Sequence, residues 1–146
     1  MRNQDYKLED SLGYVMGHAR RAMVKRLNHD FEKAGHHVTC EQCAILTNLR
    51  KKNGQSHKDL SCLTSKDKTS ITRLIDVMEK RRLVFRVADK KDARQKLVYL
   101  TNKGKALQRQ LLDVVEETFI DAQKGITAED LKICKNVLRQ VARNLT

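Results

Sequence analysis

The fold prediction starts from residues 69–80, Thr69-Ser70-Ile71-Thr72-Arg73-Leu74-Ile75-Asp76-Val77-Met78-Glu79-Lys80. Its apolar side chains recur at i, i+3, i+4 and i+7, which is one face of an α-helix; they are Ile71, Leu74, Ile75 and Met78. The outer faces carry Thr69, Ser70, Thr72, Arg73 and Asp76. The sequence therefore predicts a short helix that buries one side and presents hydroxyls and an arginine on the other.

Two short segments rich in β-branched and aromatic residues follow this helix, at 83–87 and 96–100. Such segments predict strands, and the polar run between them predicts a hairpin tip. The tip, residues 89–94, holds three basic residues in six. A polar-faced helix followed by a basic hairpin predicts a winged helix-turn-helix, because a helix fits a major groove and a hairpin can reach the flanking backbone and minor groove.

Four segments resemble the MarR (multiple antibiotic resistance regulator) family, in that family's order and at about its spacing. They are Thr72-Arg73-Leu74-Ile75-Asp76, Leu83-Val84, Asp92-Ala93-Arg94 and Leu100-Thr101-Asn102-Lys103-Gly104, and residues 38–46 are similar to the start of the family's second helix. The resemblance covers nearly the whole chain. It implies a mainly α fold (an α+β winged helix), with N- and C-terminal helices that intertwine into a homodimer.

One position departs from the family pattern. Arg82 stands just after the predicted recognition helix, where the family usually has Gly. A left-handed backbone suits glycine there and costs another residue about 1 kcal/mol. We therefore expect the end of this helix to differ locally from the family.

The net charge of +12 is concentrated in one half of the chain. Residues 50–109 contain 18 Lys and Arg against six Asp and Glu, an excess of 12, whereas the remaining residues contain 12 of each. A basic block on a helix-turn-helix pattern is typical of nucleic-acid binding. We interpret the chain as a sequence-specific transcription regulator, a repressor of a pseudo-palindromic double-stranded DNA operator. The alternative is a basic RNA-binding or architectural DNA-binding protein without sequence preference.

The candidate DNA contacts come from three elements of this basic half. They are Ser56, His57 and Lys58 at a predicted helix N-terminus, Lys66, Lys68, Thr69, Ser70, Thr72 and Arg73 on or before the recognition helix, and Lys90, Lys91, Asp92, Arg94 and Lys96 on the hairpin. Hydroxyls and arginine can bond to base edges, and a helix N-terminus favours a phosphate. A guanidinium at the hairpin tip suits a minor groove, and the resemblance implies that Asp92 orients Arg94.

Helices are predicted at both ends of the chain, outside the basic block. The first covers 8–34 and ends at Gly35; the last carries an apolar seam at 131, 134, 138, 141 and 145, suited to packing on another helix. We expect one domain, 1–146, with a DNA-binding lobe over about 36–104 and dimerisation helices over about 1–35 and 105–146. A monomer with its helices folded back is the alternative.

The resemblance also implies regulation by a small-molecule effector. The effector would sit in a cleft between the dimer helices and the lobe, lined from 12–31, 38–49 and 107–119. It can change the spacing of the two recognition helices only by binding the two arrangements with different affinities. The sequence does not identify this molecule, and we expect no cofactor.

The segment 36–43 contains the other residues that suit metal or redox chemistry. His36, His37, Cys40 and Cys43 are candidate metal ligands, and the two thiols are candidates for oxidation. A single Cys-x-x-Cys lacks the second pair of a zinc ribbon, and Cys43 falls on the apolar stripe of its helix, where a free thiol behaves as a small hydrophobe. The pattern favours structural thiols, with the redox and metal alternatives left open. Cys62 and Cys134 are predicted to lie in the core.

Several classes of function find no support in the sequence. Phosphate-binding glycine loops, paired carboxylates and a nucleophile elbow are all absent, so we do not expect an enzyme. No apolar run approaches the length of a membrane span, and the N-terminus lacks the apolar segment of a signal peptide. We therefore expect a cytoplasmic protein with reduced thiols.

Overall fold

The computed structural model describes residues 7–64 and 67–146, without the side chains of Leu63, Thr64 and Lys68. Its helices are α1 (Leu12–Lys33), α2 (Cys40–Lys51), α3 (His57–Thr64), α4 (Lys68–Lys80), α5 (Asn102–Ala122) and α6 (Ala128–Leu145), and its strands are β1 (Gln55–Ser56), β2 (Val84–Ala88) and β3 (Lys96–Leu100). The order helix, turn, helix, hairpin from α3 to β3 is the predicted winged helix-turn-helix.

The first helix starts later than predicted. A short 3-10 turn, Leu8–Asp10, comes first, and α1 begins only at Leu12. Ser11 separates the two because its backbone is extended and its side chain accepts a hydrogen bond from the Tyr14 N–H, which caps α1. The predicted stop at Gly35 is confirmed by its positive φ of 85°.

The sheet has three antiparallel strands in the order β1-β3-β2. Phe85 lies opposite Tyr99 in the hairpin, and β1 adds the pairs Gln55 with Val98 and Ser56 with Leu97 on the other side of β3. The sequence predicted β2 and β3 but not β1. Two residues are too few to show an alternation of apolar and polar side chains, so β1 is visible only from its pairing.

One apolar core joins the recognition helix to the rest of the lobe. Ile71, Ile75 and Met78 are fully buried, and Leu74 packs against the same cluster. Their partners come from α1, α2, α3, the sheet and α5: they include Phe31, Ile45, Leu46, Leu49, Leu60, Leu83, Val84, Val98 and Leu111. The predicted apolar face of α4 is confirmed, and its burial fixes which side chains of this helix remain outside.

Arg82 keeps the left-handed conformation that the family reserves for glycine. Its φ is 59°, so the expectation of a different helix end is wrong. The Leu83 N–H bonds to the Met78 carbonyl and the Arg82 N–H to that of Glu79, the two bonds of a Schellman motif. The Thr101 hydroxyl also donates to the Arg82 carbonyl at 2.6 Å. These bonds offset the cost of a non-glycine residue at this φ.

The terminal helices are less enclosed than the lobe. A polar network ties α1 to α5: Arg26 bonds to Asp30 and to Asp121, and the Thr118 hydroxyl donates to Asp30 at 2.6 Å. The Thr118 bond is the main reason that the pKa of Asp30 is lowered. By contrast, α6 buries none of its residues. Among the described helices, none is long and apolar enough to cross a membrane.

Gly104 marks the place where α5 passes closest to the end of the recognition helix. A Cβ at this position would lie 2.1 Å from the Leu83 carbonyl oxygen, a backbone atom that cannot swing away. We expect Gly104→Ala to reduce the free energy of unfolding by about 2–3 kcal/mol, because either α5 or the α4–β2 turn must shift. Urea unfolding at one fixed protein concentration measures the change.

Gly13→Ala is the matched control. Gly13 also lies inside a helix, and a Cβ there meets nothing within 4 Å. Alanine at this site should be neutral or stabilise by up to about 1 kcal/mol, because it has the higher helix propensity. Equal effects of the two substitutions would show that the close approach at Gly104 does not restrain α5.

Candidate nucleic-acid interface

The recognition helix α4 presents its polar side chains at its N-terminal half. Asp67 caps the helix, since its carboxylate accepts from the Ser70 N–H at 2.9 Å, and hydrogen bonds from Ser70 lower the pKa of Asp67. Thr69, Ser70 and Arg73 are exposed. Asp67 is thus the N-cap of α4. The three exposed side chains combine donors and acceptors on a helix that can enter a major groove.

Thr72 is less accessible than the spacing predicted. It is half-buried, and its hydroxyl lies 3.0 Å from Nδ1 of His57, which is half-buried as well. This contact joins the N-terminus of α3 to the recognition helix. Thr72 and His57 therefore hold the two helices of the motif in register, a role that the sequence reasoning assigned to neither.

The N-terminus of α3 carries a capping box. The Asp59 N–H donates to the Ser56 hydroxyl at 3.1 Å, and the Ser56 N–H donates to the Asp59 carboxylate at 3.4 Å. Ser56 is buried and Lys58 is exposed. Because the Ser56 side chain already caps the helix, Lys58 is the group at this end that reaches solvent.

The wing tip is fully open to solvent. Arg94 is 94% exposed, and its Nε lies 3.4 Å from Asp92, whose carboxylate also accepts the Arg94 N–H at 3.1 Å. The predicted geometry, Asp92 beside Arg94, is confirmed. Lys90, Lys91 and Lys96 are exposed around it. The tip and the adjoining Lys96 thus present four cations. One of them, Arg94, is held by the carboxylate of Asp92.

A groove of about 460 Å³ runs between the wing tip and the start of α3. It is lined by Ser56, His57, Lys58, Asp92, Arg94, Gln95 and Lys96. The structure therefore brings the α3 and wing candidates into one surface. Ser65 and Lys66, and the side chain of Lys68, lie outside the described part of the chain, so the predicted phosphate contacts of these lysines stay predictions.

Arg86 is a residue of this surface that the sequence reasoning missed. It lies in β2, and its Nη2 is 2.7 Å from Asp76 Oδ1 and 2.9 Å from Glu79 Oε1, both on α4. Its backbone N–H donates to Glu79 as well, at 3.2 Å. Hydrogen bonding by Arg86 lowers the pKa of Glu79. One guanidinium thus ties the wing to the recognition helix.

The signal for this contact was present but ambiguous. Asp76 and Glu79 are two acids, three residues apart, inside a strongly basic block, and residues at that spacing share a helix face. The sequence shows several arginines that could pair with them. Only the packing of β2 beside α4 selects Arg86.

The thiols and histidines at the start of α2 do not converge on a site. Cys43 is buried, Cys40 is half-buried, and burial raises the pKa of both thiols, which keeps them protonated and poorly nucleophilic. Across residues 7–64 and 67–146, no group of three or more His, Cys, Asp or Glu side chains could hold a metal ion. His36 and His37 precede the helix, and the His37 carbonyl accepts a bond from Arg81.

The prediction that Cys62 and Cys134 lie in the core is wrong for this chain. Both are exposed. Cys62 lies on the outer side of α3, opposite the buried Leu60, and Cys134 is uncovered because α6 buries none of its residues. An apolar spacing on a helix cannot show whether the same chain supplies the covering surface.

The effector cleft predicted from 12–31, 38–49 and 107–119 overlaps one concavity between α1 and α5, which no residue of 38–49 lines. A concavity of about 360 Å³ between α1 and α5 is lined by Arg26, Asp30, Lys33, Ala34, Val114, Glu117, Thr118 and Asp121. Three of its polar side chains, Arg26, Asp30 and Thr118, are already bonded to one another or to Asp121. The role of this cleft stays a prediction.

Arg86 generates a testable prediction about how the site is held together. Arg86→Met removes both ion pairs and should weaken binding to the duplex upstream of the protein's own gene about tenfold, because the wing and α4 lose their fixed spacing. The loss of stability should stay near 1 kcal/mol, since both carboxylates are partly exposed. Arg86→Lys keeps the charge but not the planar fork, so it should rescue only part of the DNA affinity.

The acid dependence of stability gives an independent measurement. Because folding lowers the pKa of Glu79 from its ordinary 4.5, its ion pair stabilises the fold above that pH and loses this contribution as the pH falls through the lowered value. Arg86→Met should flatten this part of the curve, and Lys132→Met, which removes an exposed cation of α6, should not. DNA affinity unchanged by Arg86→Met would contradict a positioning role.

Comparison with known proteins agrees with this geometry. A family model described as the MarR family matches residues 38–96. The homoprotocatechuate degradative operon repressor of Escherichia coli is 25% identical over 133 residues, which cover 91% of this chain and 88% of that protein.

Solved structures extend the likeness to the whole fold. The structure of Bordetella bronchiseptica BpsR, whose DNA binding is regulated by 6-hydroxynicotinic acid, has a TM-score of 0.84 at 22% identity and covers 94% of this chain and 96% of its own. A mutant of Escherichia coli MarR in complex with operator DNA has a TM-score of 0.83 at 23% identity, covering 93% and 99%. Residues 38–96 thus match the MarR family model, and the solved structures have the same fold over the winged helix-turn-helix and the flanking helices.

Proposed function

We propose that the protein is a homodimeric repressor that binds a pseudo-palindromic operator in double-stranded DNA and responds to a small-molecule effector. The observation that carries the proposal is the division of α4 into a fully buried apolar face and an outer face with exposed Thr69, Ser70 and Arg73. Such a helix can enter a major groove, where each base pair has a distinct pattern of donors and acceptors. A regulator of chromosomal DNA is expected in the cytoplasm.

The wing would contact DNA differently from the helix. The tip carries Arg94 with its guanidinium in solvent, and Lys90 and Lys91 beside it. A hairpin tip meets phosphates and the minor groove, whose pattern is degenerate but whose negative potential attracts guanidinium groups. The helix would therefore supply sequence preference, and the wing would supply most of the electrostatic attraction.

The exposed apolar side chains of the terminal helices support a homodimer. On α6, Ile133 is 53% exposed and Val137 is 48% exposed, and Val15 on α1 is 55% exposed. Surfaces of this kind mark a contact with another protein, and a second copy of the chain is the simplest partner. A two-fold axis would set the recognition helices about one turn of DNA apart, roughly 34 Å.

The relatives support an effector that is a small aromatic acid. The DNA binding of the Bordetella protein is regulated by 6-hydroxynicotinic acid, which carries a carboxylate on an aromatic ring. The helix α5 starts beside the end of the recognition helix and runs to the α1 network. An effector that binds one position of α5 better than another would change the spacing of the lobes.

The alternative, a basic protein that binds nucleic acid without sequence preference, predicts different behaviour of α4. In that case helix and wing substitutions would act alike, through charge alone. An operator-binding protein instead requires that the two elements differ.

The first test compares substitutions in the two elements. Arg73→Ala and Ser70→Ala should each weaken binding to the upstream duplex by about 1–3 kcal/mol and binding to random duplex much less, because base contacts are lost. Lys90→Ala and Lys91→Ala should weaken both duplexes about equally and flatten the salt dependence by about one unit each. Titrations of both duplexes at several salt concentrations provide the measurement, and equal losses from helix substitutions on the two duplexes would favour the nonspecific alternative.

The second test addresses the dimer. Leu138→Glu places a charge on the apolar seam of α6, and we expect a monomer by light scattering together with loss of binding to the full upstream duplex, since one half-site binds weakly. Gln140→Glu adds the same charge at an exposed polar position of the same helix and should leave the dimer intact. A Leu138→Glu protein that remains dimeric would remove α6 from the interface.

A further inference from the structure

We infer that a concavity at the end of the wing sheet farthest from the tip binds a small anion, through a carboxylate or phosphate group. Its volume is about 380 Å³. It is lined by Leu49, Arg50, Asn53, Leu100, Lys105 and Arg109. These residues come from the last turn of α2, the loop before β1, the end of β3 and the first two turns of α5.

The charged groups of this concavity all have one sign. Arg50, Lys105 and Arg109 line it, and no Asp or Glu does. In the part of the chain that the structure describes, none of the three forms an ion pair; the described salt bridges belong to Arg26, Arg86 and Arg94. Three like charges around one space repel one another. An anion between them would relieve that repulsion and accept charge-assisted hydrogen bonds from each.

The remaining polar side chain of the lining is also oriented as a donor. Asn53 Oδ1 accepts a bond from the Leu100 N–H at 2.9 Å. That bond fixes the amide, because its oxygen must face the strand, and it leaves the Nδ2 donor as the free end of the side chain. Every polar side-chain group of the lining therefore offers hydrogen atoms, which is the pattern that an anion requires.

Two carbonyl groups at the end of α2 accept hydrogen bonds from the side chain of Gln55. Gln55 Nε2 donates to the Asn48 carbonyl at 2.9 Å and to the Lys52 carbonyl at 2.7 Å. Gln55 itself is buried. The end of α2 is thus capped by an amide from β1, and the guanidinium of Arg50 is not needed for that purpose.

The position of the concavity argues against a DNA phosphate as its occupant. Strand β3 runs from Lys96, beside the tip, to Leu100 in the lining. Five residues of strand span about 13–17 Å, so a duplex held by Arg94 and the tip lysines lies at the other end of the sheet. A small anion from solution remains the fitting occupant.

The base of the concavity offers little apolar surface, because Leu49 is fully buried and Leu100 is 4% exposed. The cations at its rim are therefore the groups that would hold an anion. An occupant would bridge α2 to α5, the helix that leads from the lobe to the terminal helices.

Binding of two probes to the intact protein without DNA tests the site, so the result does not depend on recognition of an operator. Sodium benzoate and sodium phosphate are titrated by calorimetry at constant ionic strength. We expect one bound anion per chain, and binding at least about tenfold weaker in Arg50→Gln/Arg109→Gln, since each removed cation costs about threefold to tenfold. Tighter binding of benzoate would identify an organic carboxylate as the preferred ligand. Equal binding of the two probes would show that charge alone determines the affinity.

Lys124→Gln is the matched control, because it removes an exposed cation far along the chain from the lining. It should bind both probes as the parent does. Both residues of the double variant are exposed, and thermal unfolding in anion-free buffer checks that this variant remains folded. No binding of either probe, or equal weakening by Lys124→Gln, would overturn the inference in favour of diffuse attraction to a basic protein.

A further outcome identifies DNA as the occupant. If the double variant loses affinity for random duplex in anion-free buffer as strongly as Lys90→Ala/Lys91→Ala does, the cations contact the DNA backbone and the small-anion site is wrong. Unchanged random-duplex binding, together with lost benzoate binding, supports the site and leaves the DNA surface at the tip and α4.

Discussion

The hydrogen bonds of Arg86 to Asp76 and Glu79 fix the relation between the two parts of the lobe that would meet DNA. The backbone N–H of Arg86, which donates to Glu79, and the buried Leu83 and Val84 also join the wing to α4. A planar guanidinium can hold two carboxylates at once, which a lysine ammonium cannot do with the same geometry. Side chains of the recognition helix and of the wing must reach neighbouring grooves of DNA at the same time. The spacing between these two sets of side chains depends on this contact.

The distribution of charge follows from the same arrangement. Five acids of the lobe have local structural roles: Asp67 caps α4, Asp59 completes the box at α3, Asp92 holds Arg94, and Asp76 and Glu79 bind Arg86. The positive potential of the lobe comes from the excess of Lys and Arg over Asp and Glu in residues 50–109, 18 against six. Its exposed cations lie at the tip, at Lys58 and around the concavity beside α5, and the tip and the concavity are separated by the length of a strand.

The terminal helices combine a rigid connection with an uncovered surface. The network of Arg26, Asp30, Thr118 and Asp121 holds α1 against α5, whereas α6 has no buried residue of its own. The close approach of Gly104 to Leu83 and the hydrogen bond from the Thr101 hydroxyl to the Arg82 carbonyl attach the start of α5 to the end of α4. Motion of α5 would thus be transmitted to the recognition helix through backbone contacts, as the proposed regulation by an effector requires.

The sequence by itself determined the elements whose signal is local. The spacing of Ile71, Ile75 and Met78, the helix stop at Gly35, and the basic tip with Asp92 two residues before Arg94 each depend on residues a few positions apart. Helix periodicity and capping are properties of that range. The resemblance to a known family added the order of these elements and the expectation that they bind DNA.

Only the tertiary structure decided the contacts between distant segments. The two-residue strand β1, the choice of Arg86 as the partner of Asp76, the contact of His57 with Thr72 and the exposure of Cys62 depend on how elements pack. The sequence predicted a different helix end at Arg82, because a left-handed backbone is costly there. The structure keeps this conformation, and a hydrogen bond from Thr101, nineteen residues away, helps to hold it. The free-energy cost of a positive φ can be inferred from the residue type alone. The interactions that offset this cost come from segments that only folding brings together.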